Sequence, residues 1–469
     1  MILLVGSFLV LLILGVPVAM SMALSSLIFI VIDGSNPPFV LMHRMISGVD
    51  SFPLLAVPFF IYAGNLMNIA GVTSRIYAFA LAMVGWLPGG LGHVNVVGSV
   101  IFSGMSGSAI AEAAGLGSIQ IQAMNERNYP IKFSVGVTAA SATLGPIIPP
   151  SIPFVIYGMM ANVSIGSLFL GGIVPGFVMA VLLMATVAYF AWSNKWGADV
   201  PFRFQIVLEA IFELVLVALS GIAMYYLQLW TNWPVLIAAL AVLAPLTALD
   251  WWFGFKAVMP LMTPMLLIGG MLTGLFTPTE AAVAACVWAL FLGFVRYGTM
   301  TLKAFTKASF ETIETTSSVL FIVAAASIFG WLLTVTKVAD ALTLGMLSIT
   351  DQKWVFLLLV NLLVLLVGSF IDSLAAITIL VPILQPLLVK FGVDPVHFGV
   401  ILTLNLMIGL LHPPLGMVLY VLARISKLSV EQTTMAILPW LIPLMIALVL
   451  ITYVPEITLW LPRLLAPHH

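Results

Sequence analysis

Four short stretches of this 469-residue sequence combine residues that stop a helix with residues that offer oxygen ligands. The first reads Ser103-Gly-Met-Ser-Gly-Ser-Ala-Ile-Ala-Glu112 and is followed by Gly145-Pro-Ile-Ile-Pro-Pro-Ser151. The second pair is Gly368-Ser-Phe-Ile-Asp-Ser373 and then Gly409-Leu-Leu-His-Pro-Pro414. Glycine and serine let a chain turn back while presenting hydroxyls, and proline removes amide donors, leaving upstream carbonyls such as that of Gly145 without helical partners. A helix that stops frees about four carbonyls at its C-terminal end and about four amides at its N-terminal end. The carbonyls suit a cation and the amides an anion. A cage of such oxygens is what a hard cation such as sodium takes. The same residues are also compatible with a plain kink and with close helix packing.

The elements that carry these stretches belong in a bilayer. The chain is 62% hydrophobic and 7% charged, with a mean hydropathy of +1.21, whereas a soluble domain is about a quarter charged. A bilayer core of roughly 30 Å takes about 20 helical residues. Apolar runs fall at 2–32, 53–71, 76–90, 92–124, 133–161, 167–193, 206–228, 233–250, 257–276, 279–296, 311–336, 354–391, 396–424 and 433–461. They predict an all-α polytopic membrane protein with about 12 to 15 embedded segments, some too short to cross.

In hydrocarbon an interrupted helix exposes backbone groups that nothing else satisfies, so the interruptions must line something polar. Both later stretches fit Gly-x-x-x-Pro-Pro. Each follows an apolar run carrying hydroxyl or amide groups, Thr138, Ser141 and Thr143 in one case and Thr403 and Asn405 in the other. The two halves therefore read as copies, each with a re-entrant hairpin and a broken helix. Paired interruptions of this kind point to a transporter binding site near the bilayer midplane.

Ionisable residues within apolar runs are the next candidates. Asp372 stands at the break of the second copy, where the first has serine. It can meet a substrate hydroxyl, hold the hairpin tip, join an ion site or simply cap local amides. Glu112, and Glu280 beside Thr277 and Thr279, read as structural. Glu209 and Glu213, one helical turn apart, face an interface, a cavity or the headgroup layer. His412 offers a main-chain contact, because no His, Cys or carboxylate stands at metal-site spacing to it. Arg44 reads as a headgroup anchor in a connector.

Several functions are excluded by what the sequence lacks. A net charge of −1 gives no basic face for nucleic acid. No phosphate-binding glycine loop with lysine is present, so ATP is not the energy source and an ion gradient is. Cys286 is alone and packs in an apolar helix. The N-terminal run has no basic leader and continues past a signal-peptide core, so it is expected to be a retained first helix. Arg296, Lys303 and Lys307 place their connector in the cytoplasm.

Ser51-Phe-Pro-Leu-Leu-Ala-Val-Pro-Phe-Phe-Ile-Tyr-Ala-Gly-Asn-Leu-Met67, the two stretches of the first half, and Gly274-Leu-Phe-Thr-Pro-Thr-Glu-Ala-Ala282 together resemble the large membrane subunit of TRAP transporters, the tripartite ATP-independent periplasmic family. The likeness extends over nearly the whole chain. It implies sodium-coupled uptake across the bacterial inner membrane of an organic acid, such as a sialic acid or a C4-dicarboxylate. A periplasmic substrate-binding protein delivers the acid, and a small four-helix membrane subunit completes the complex. No cofactor is implied beyond sodium as coupling ion.

The resemblance also implies inverted repeats, with a scaffold and an elevator-type transport domain. Residues 1–90 would be scaffold and arm helices of the first repeat, 91–175 the first transport half, and 176–310 scaffold. Residues 311–353 would be the second arm, 354–430 the second transport half and 431–469 a C-terminal helix. One sodium site would use main-chain oxygens of Ser103, Ser106, Gly145, Ile148 and Pro149. The other would use those around Gly368, Gly409, His412 and Leu415, with Ser106, Ser151 and Asp372 near substrate. Against the family pattern, residues 200–250 read as an addition of two helices, 206–228 and 234–250.

Two other readings share these residues. A stand-alone divalent-anion/sodium symporter would need no binding protein. An intramembrane serine protease would use Gly104-Met-Ser-Gly107, but a nucleophilic serine needs a base within reach, and no motif ties His93 or His412 to it.

Overall fold

The structure, a computed structural model, describes residues 2–34, 36–231, 235–253, 257–272, 276–413 and 416–465. Among these, eight helices are long and apolar enough to cross a membrane, beginning with Phe52–Ile69 and ending with Val430–Tyr453. Shorter apolar helices accompany them, as expected where a chain turns within the bilayer or breaks there.

The run at 92–124 is a hairpin. Helix Gly90–Ser106 ends on Gly107, whose φ of 59° is left-handed, and Ser108 then caps the short helix Ala109–Ala114. Leu116–Glu126 follows and lies back against Gly90–Ser106. The run at 354–391 folds likewise. Lys353–Phe370 stops at Ile371, which is extended, and Asp372 caps Ser373–Lys390. The runs at 133–161 and 396–424 each divide, into Ile131–Ala142 and Ile152–Ala161 and into Pro395–Gly409 and Met417–Ser426.

The halves pack crosswise. Ala109–Ala114, just past the first hairpin tip, lies on Met417–Ser426, which follows the second break. Conversely Ile152–Ala161, which follows the first break, lies on Ser373–Lys390 past the second tip. The Tyr157 hydroxyl donates to Pro395 O at 2.7 Å, and Gln385 Nε2 donates to Ala161 O at 3.0 Å. The second bond satisfies a carbonyl at a helix C-terminus that the bilayer could not, and the first ties the start of Pro395–Gly409 to the broken helix.

Buried amides join hairpin to broken helix within each half. Asn95 Nδ2 donates to Thr138 Oγ1 at 2.7 Å, and Ser141 Oγ donates to Asn95 Oδ1 at 2.6 Å. In the second half Asn405 Nδ2 donates to Asn361 Oδ1 at 2.7 Å, and Asn361 Nδ2 reaches Thr452 Oγ1 at 3.1 Å. The base of the first hairpin is held by the connector after Ile165–Ser193, where Asp199 Oδ2 accepts from Leu91 N at 2.8 Å and from the Tyr129 hydroxyl at 2.6 Å. Burial, and then the bond to Asp199, pushes the Tyr129 hydroxyl above its ordinary pKa.

Around these elements run the long helix Leu302–Val335, which packs on Val18–Asp33, Phe39–Val49, Ala56–Ile69 and Ser373–Lys390, and the helix Pro278–Leu290 against Ala56–Ile69. Phe204–Thr231 and Val235–Phe253 form the expected pair at 206–250 and touch each other. That pair is tied to the body by Arg296 Nε, 2.6 Å from Asp250 Oδ2, and by Glu213 Oε2, which accepts from Ala257 N at 2.9 Å.

Four boundaries differ from the sequence reading. The first run is two helices, Ile2–Ile13 and Val18–Asp33, because Gly15 takes a φ of 80° and Pro17 follows it. The last run divides at Pro455 into Val430–Tyr453 and Glu456–Leu465. Phe39–Val49 and Val338–Ile349 are helices that the apolar runs did not include. Arg44 lies in the first of these, in a helix and not a connector, with its guanidinium 4.8 Å over the Trp331 ring, a cation–π contact.

Candidate functional site

The first tip and the first break meet backbone to backbone. A β-carbon at Gly107 would stand 2.6 Å from Pro150 O, so a side chain there would collide with the break as well as strain the left-handed turn. A β-carbon at Gly145 would stand 2.6 Å from Oε2 of Glu112 and 3.4 Å from the carbonyl carbon of Ser108. Ser103, Ser106, Gly145, Ile148 and Pro149, the five positions expected at one ion site, are therefore drawn from two stretches that touch, and all five are buried.

The carbonyls of this break are only partly used. Leu144 O accepts from Ile147 N at 3.0 Å and Ile148 N at 2.9 Å. Among the described residues no backbone amide reaches the oxygens of Gly145, Ile148 or Pro149. Gly145 O and Pro149 O lack helical partners because the residues four positions on, Pro149 and Pro153, have no amide to donate, and Ile148 O lacks one because the chain leaves the helix before Ile152. Ser151 closes the break: its hydroxyl donates to Pro146 O and accepts from Phe154 N at 3.2 Å, capping Ile152–Ala161. Ser103 Oγ donates to Val100 O at 2.7 Å, whereas the buried Ser106 Oγ has no partner among the described residues.

The second cluster has the same plan with fewer open oxygens. A β-carbon at Gly409 would lie 2.7 Å from the carbonyl carbon of Gly368 and 2.9 Å from its oxygen, so these two glycines let tip and break abut. His412 N donates to Gly409 O at 3.0 Å and Gly416 N donates to His412 O at 3.1 Å. Each of those carbonyls keeps one lone pair. The His412 ring turns its Nδ1 toward Ile408 O at 3.0 Å. Asp372 Oδ2 accepts from Leu374 N at 3.0 Å and so caps its helix. Leu415, expected in this cluster, lies outside the described residues.

Four pairs bring out the duplication: Gly104 with Gly368, Ser108 with Asp372, Gly145 with Gly409, and Pro149 with Pro413. Each pair is separated by the same number of positions. Ser108 and Asp372 do the same work, each capping the helix past its tip.

Other sequence candidates resolve locally. Thr277 and Glu280 form a reciprocal cap, with Thr277 N to Glu280 Oε2 at 2.8 Å and Glu280 N to Thr277 Oγ1 at 3.3 Å. The Cys286 thiol donates to Phe59 O at 3.2 Å. Ser106 has no imidazole on it, and His93 lies on the same helix about 20 Å away at 1.5 Å per residue. Sequence reasoning passed over Asn95 and Asn361, visible as lone amides within apolar runs. It also read Glu112 as structural; that carboxylate is buried, with the Ser99 hydroxyl beside it.

Comparison with known proteins bears directly on this arrangement. Residues 5–457 match the family model described as tripartite ATP-independent periplasmic transporter, DctM component. The chain is 41% identical over 455 residues to the sialic acid TRAP transporter large permease protein SiaM of Vibrio cholerae, covering 96% of this chain and 95% of that one. It is 32% identical over 474 residues to the C4-dicarboxylate TRAP transporter large permease protein DctM of Rhodobacter capsulatus, covering 98% of each. The crystal structure of the Alcanivorax borkumensis YdaH transporter shares the fold, with a TM-score of 0.59 at 14% identity over 88% of this chain and 86% of that one.

Proposed function

The chain belongs to the DctM component family of tripartite ATP-independent periplasmic transporters, and from that premise we propose that it couples the entry of sodium to the import of a small organic acid. It is a multi-pass transporter permease and not an enzyme. The acid is of the sialic acid or C4-dicarboxylate class, in keeping with what the similar permeases are named for. A periplasmic binding protein delivers it, and a small four-helix subunit accompanies the chain in the bacterial inner membrane.

The observation that supports this reading best is the pairing of tip and break in each half, with the oxygens of Gly145, Ile148 and Pro149 left without amides. One sodium site is assigned to Ser103, Ser106, Gly145, Ile148 and Pro149. The other is assigned to Gly368, Gly409, His412 and Leu415. Ser106 has a free hydroxyl with which to meet substrate. Ser151 and Asp372 shape the pocket, since each already caps a helix. The two transport halves move together against the scaffold as an elevator. At 100 mV each positive charge moved inward supplies about 2.3 kcal/mol, enough for substantial accumulation of an acid.

The test is uptake of sialic acid and of C4-dicarboxylates into proteoliposomes holding this chain, its small subunit and its binding protein. Accumulation that needs both an inward sodium gradient and the binding protein is expected. Uptake indifferent to sodium overturns the coupling, and uptake by the chain alone would identify a stand-alone symporter instead.

A further inference from the structure

A crevice of about 940 Å³ opens between the base of the first hairpin and the end of Ile165–Ser193, with Leu87, His93, Ala188, Trp192, Lys195 and Trp196 among its walls. The connector beyond that helix fixes its shape. Gly89 N donates to Gly197 O at 3.0 Å, and the Trp196 ring packs 4.7 Å from that of Phe133 and 4.9 Å from that of Tyr129. The opening is therefore built into the hairpin base.

Two properties say what fills it. Apart from His93, which is 5% exposed, the polar lining comes from Ser193 and Lys195, where the helix ends. Trp192 beside them is 80% exposed, as tryptophan is where a helix meets the headgroup layer. An acyl chain covers apolar walls of this kind, whereas water leaves them wet. The same end of the bundle is also basic. Arg127, Lys132, Lys195 and Arg203 are exposed there against two carboxylates, Glu126 and Asp199, and Asp199 already accepts from Leu91 N and the Tyr129 hydroxyl. Among the described residues no carboxylate pairs with Lys195. Basic pockets between membrane helices take anionic headgroups.

We propose that this crevice binds one anionic phospholipid, with its phosphate at Lys195 and an acyl chain laid along Ala188 and Trp192 toward His93. The site lies apart from both tip-and-break clusters and depends neither on sodium coupling nor on which acid is carried. A lipid seated there wedges the hairpin base against the connector that Asp199 ties down.

Native mass spectrometry of the purified full-length chain, stripped of lipid and titrated with phosphatidylglycerol or phosphatidylcholine, counts what is retained. One phosphatidylglycerol is expected to bind about fivefold tighter than phosphatidylcholine, and Lys195→Ala to erase that preference, the factor for one basic side chain near an anionic headgroup. Ala188→Trp, which fills the crevice from an exposed position, is expected to abolish the tight site. Photoactivatable phosphatidylglycerol should crosslink to residues 86–93 and 188–196, and glycerol phosphate, a headgroup without chains, should not displace the lipid.

Equal binding of the two lipids by the wild type overturns the proposal, as do crosslinks spread evenly over the helices. Displacement by glycerol phosphate would make the ligand a free anion, and loss of the lipid on adding the small subunit would give the crevice to that subunit; either result rejects the lipid. If the tryptophan variant does not fold, Lys195→Ala and the crosslinks decide.

Discussion

At single positions, tip and break abut in each half where a side chain is missing. Gly409→Ala would press a methyl group to within 3 Å of the Gly368 backbone, and overpacking of that kind costs about 1–3 kcal/mol. The variant is expected to melt at a lower temperature in detergent and to bind sodium more weakly. Asp372 yields a sharper test, because asparagine caps as well as aspartate does and alanine costs about 1 kcal/mol. If capping is its whole role, Asp372→Asn keeps both melting temperature and sodium affinity, whereas Asp372→Ala loses stability. Loss of sodium affinity in a stable asparagine variant would instead place its charge at an ion. These positions were legible in the sequence because glycine, proline and aspartate contrast with the apolar runs around them. The surroundings of Glu112 were not legible, since they depend on where Ser99 and Gly145 arrive after folding.

Among the elements, what the sequence disclosed well were the breaks within 92–124, 133–161, 354–391 and 396–424, each marked by residues that cannot continue a helix in lipid. What it hid were the division at Gly15 and Pro17, inside a run that stays apolar on average, and Phe39–Val49, whose polar residues kept it out of the apolar runs. Buried amides now explain how hairpin and broken helix stay in register. Asn95→Leu leaves the Ser141 hydroxyl only its longer bond to Thr138 O at 3.2 Å and takes the Thr138 hydroxyl's donor. It is expected to cost about 1–3 kcal/mol, read as a lower melting temperature. Asp199→Ala unties the hairpin base from Leu91 N and the Tyr129 hydroxyl. Faster amide hydrogen exchange at residues 90–93, with no change near residues 353–357, is the expected result; uniform exchange would mean that the connector holds nothing.

For the molecule as a whole, the helix pair Phe204–Thr231 and Val235–Phe253 is fastened at one end by Arg296 on the 1%-exposed side chain of Asp250. Removing one partner of a buried ion pair costs about 3–5 kcal/mol, so Arg296→Ala should lower the melting temperature far more than exposed Lys307→Ala. Equal effects would show the pair to be an ordinary surface bridge. The broad architecture was readable because composition alone demands a bilayer. The pairing of halves was not, because separation along the chain says nothing about which half-helix lies on which hairpin.

Crossed packing carries one more consequence. With each broken helix seated on the opposite hairpin, an ion that draws one loop tight must tug the far one as well, so vacancy at either place is an unfavourable strain on both. Titration of the intact chain with sodium is therefore expected to be sigmoidal, and Tyr157→Phe, which cuts a strut between the halves, to flatten the curve toward independent filling.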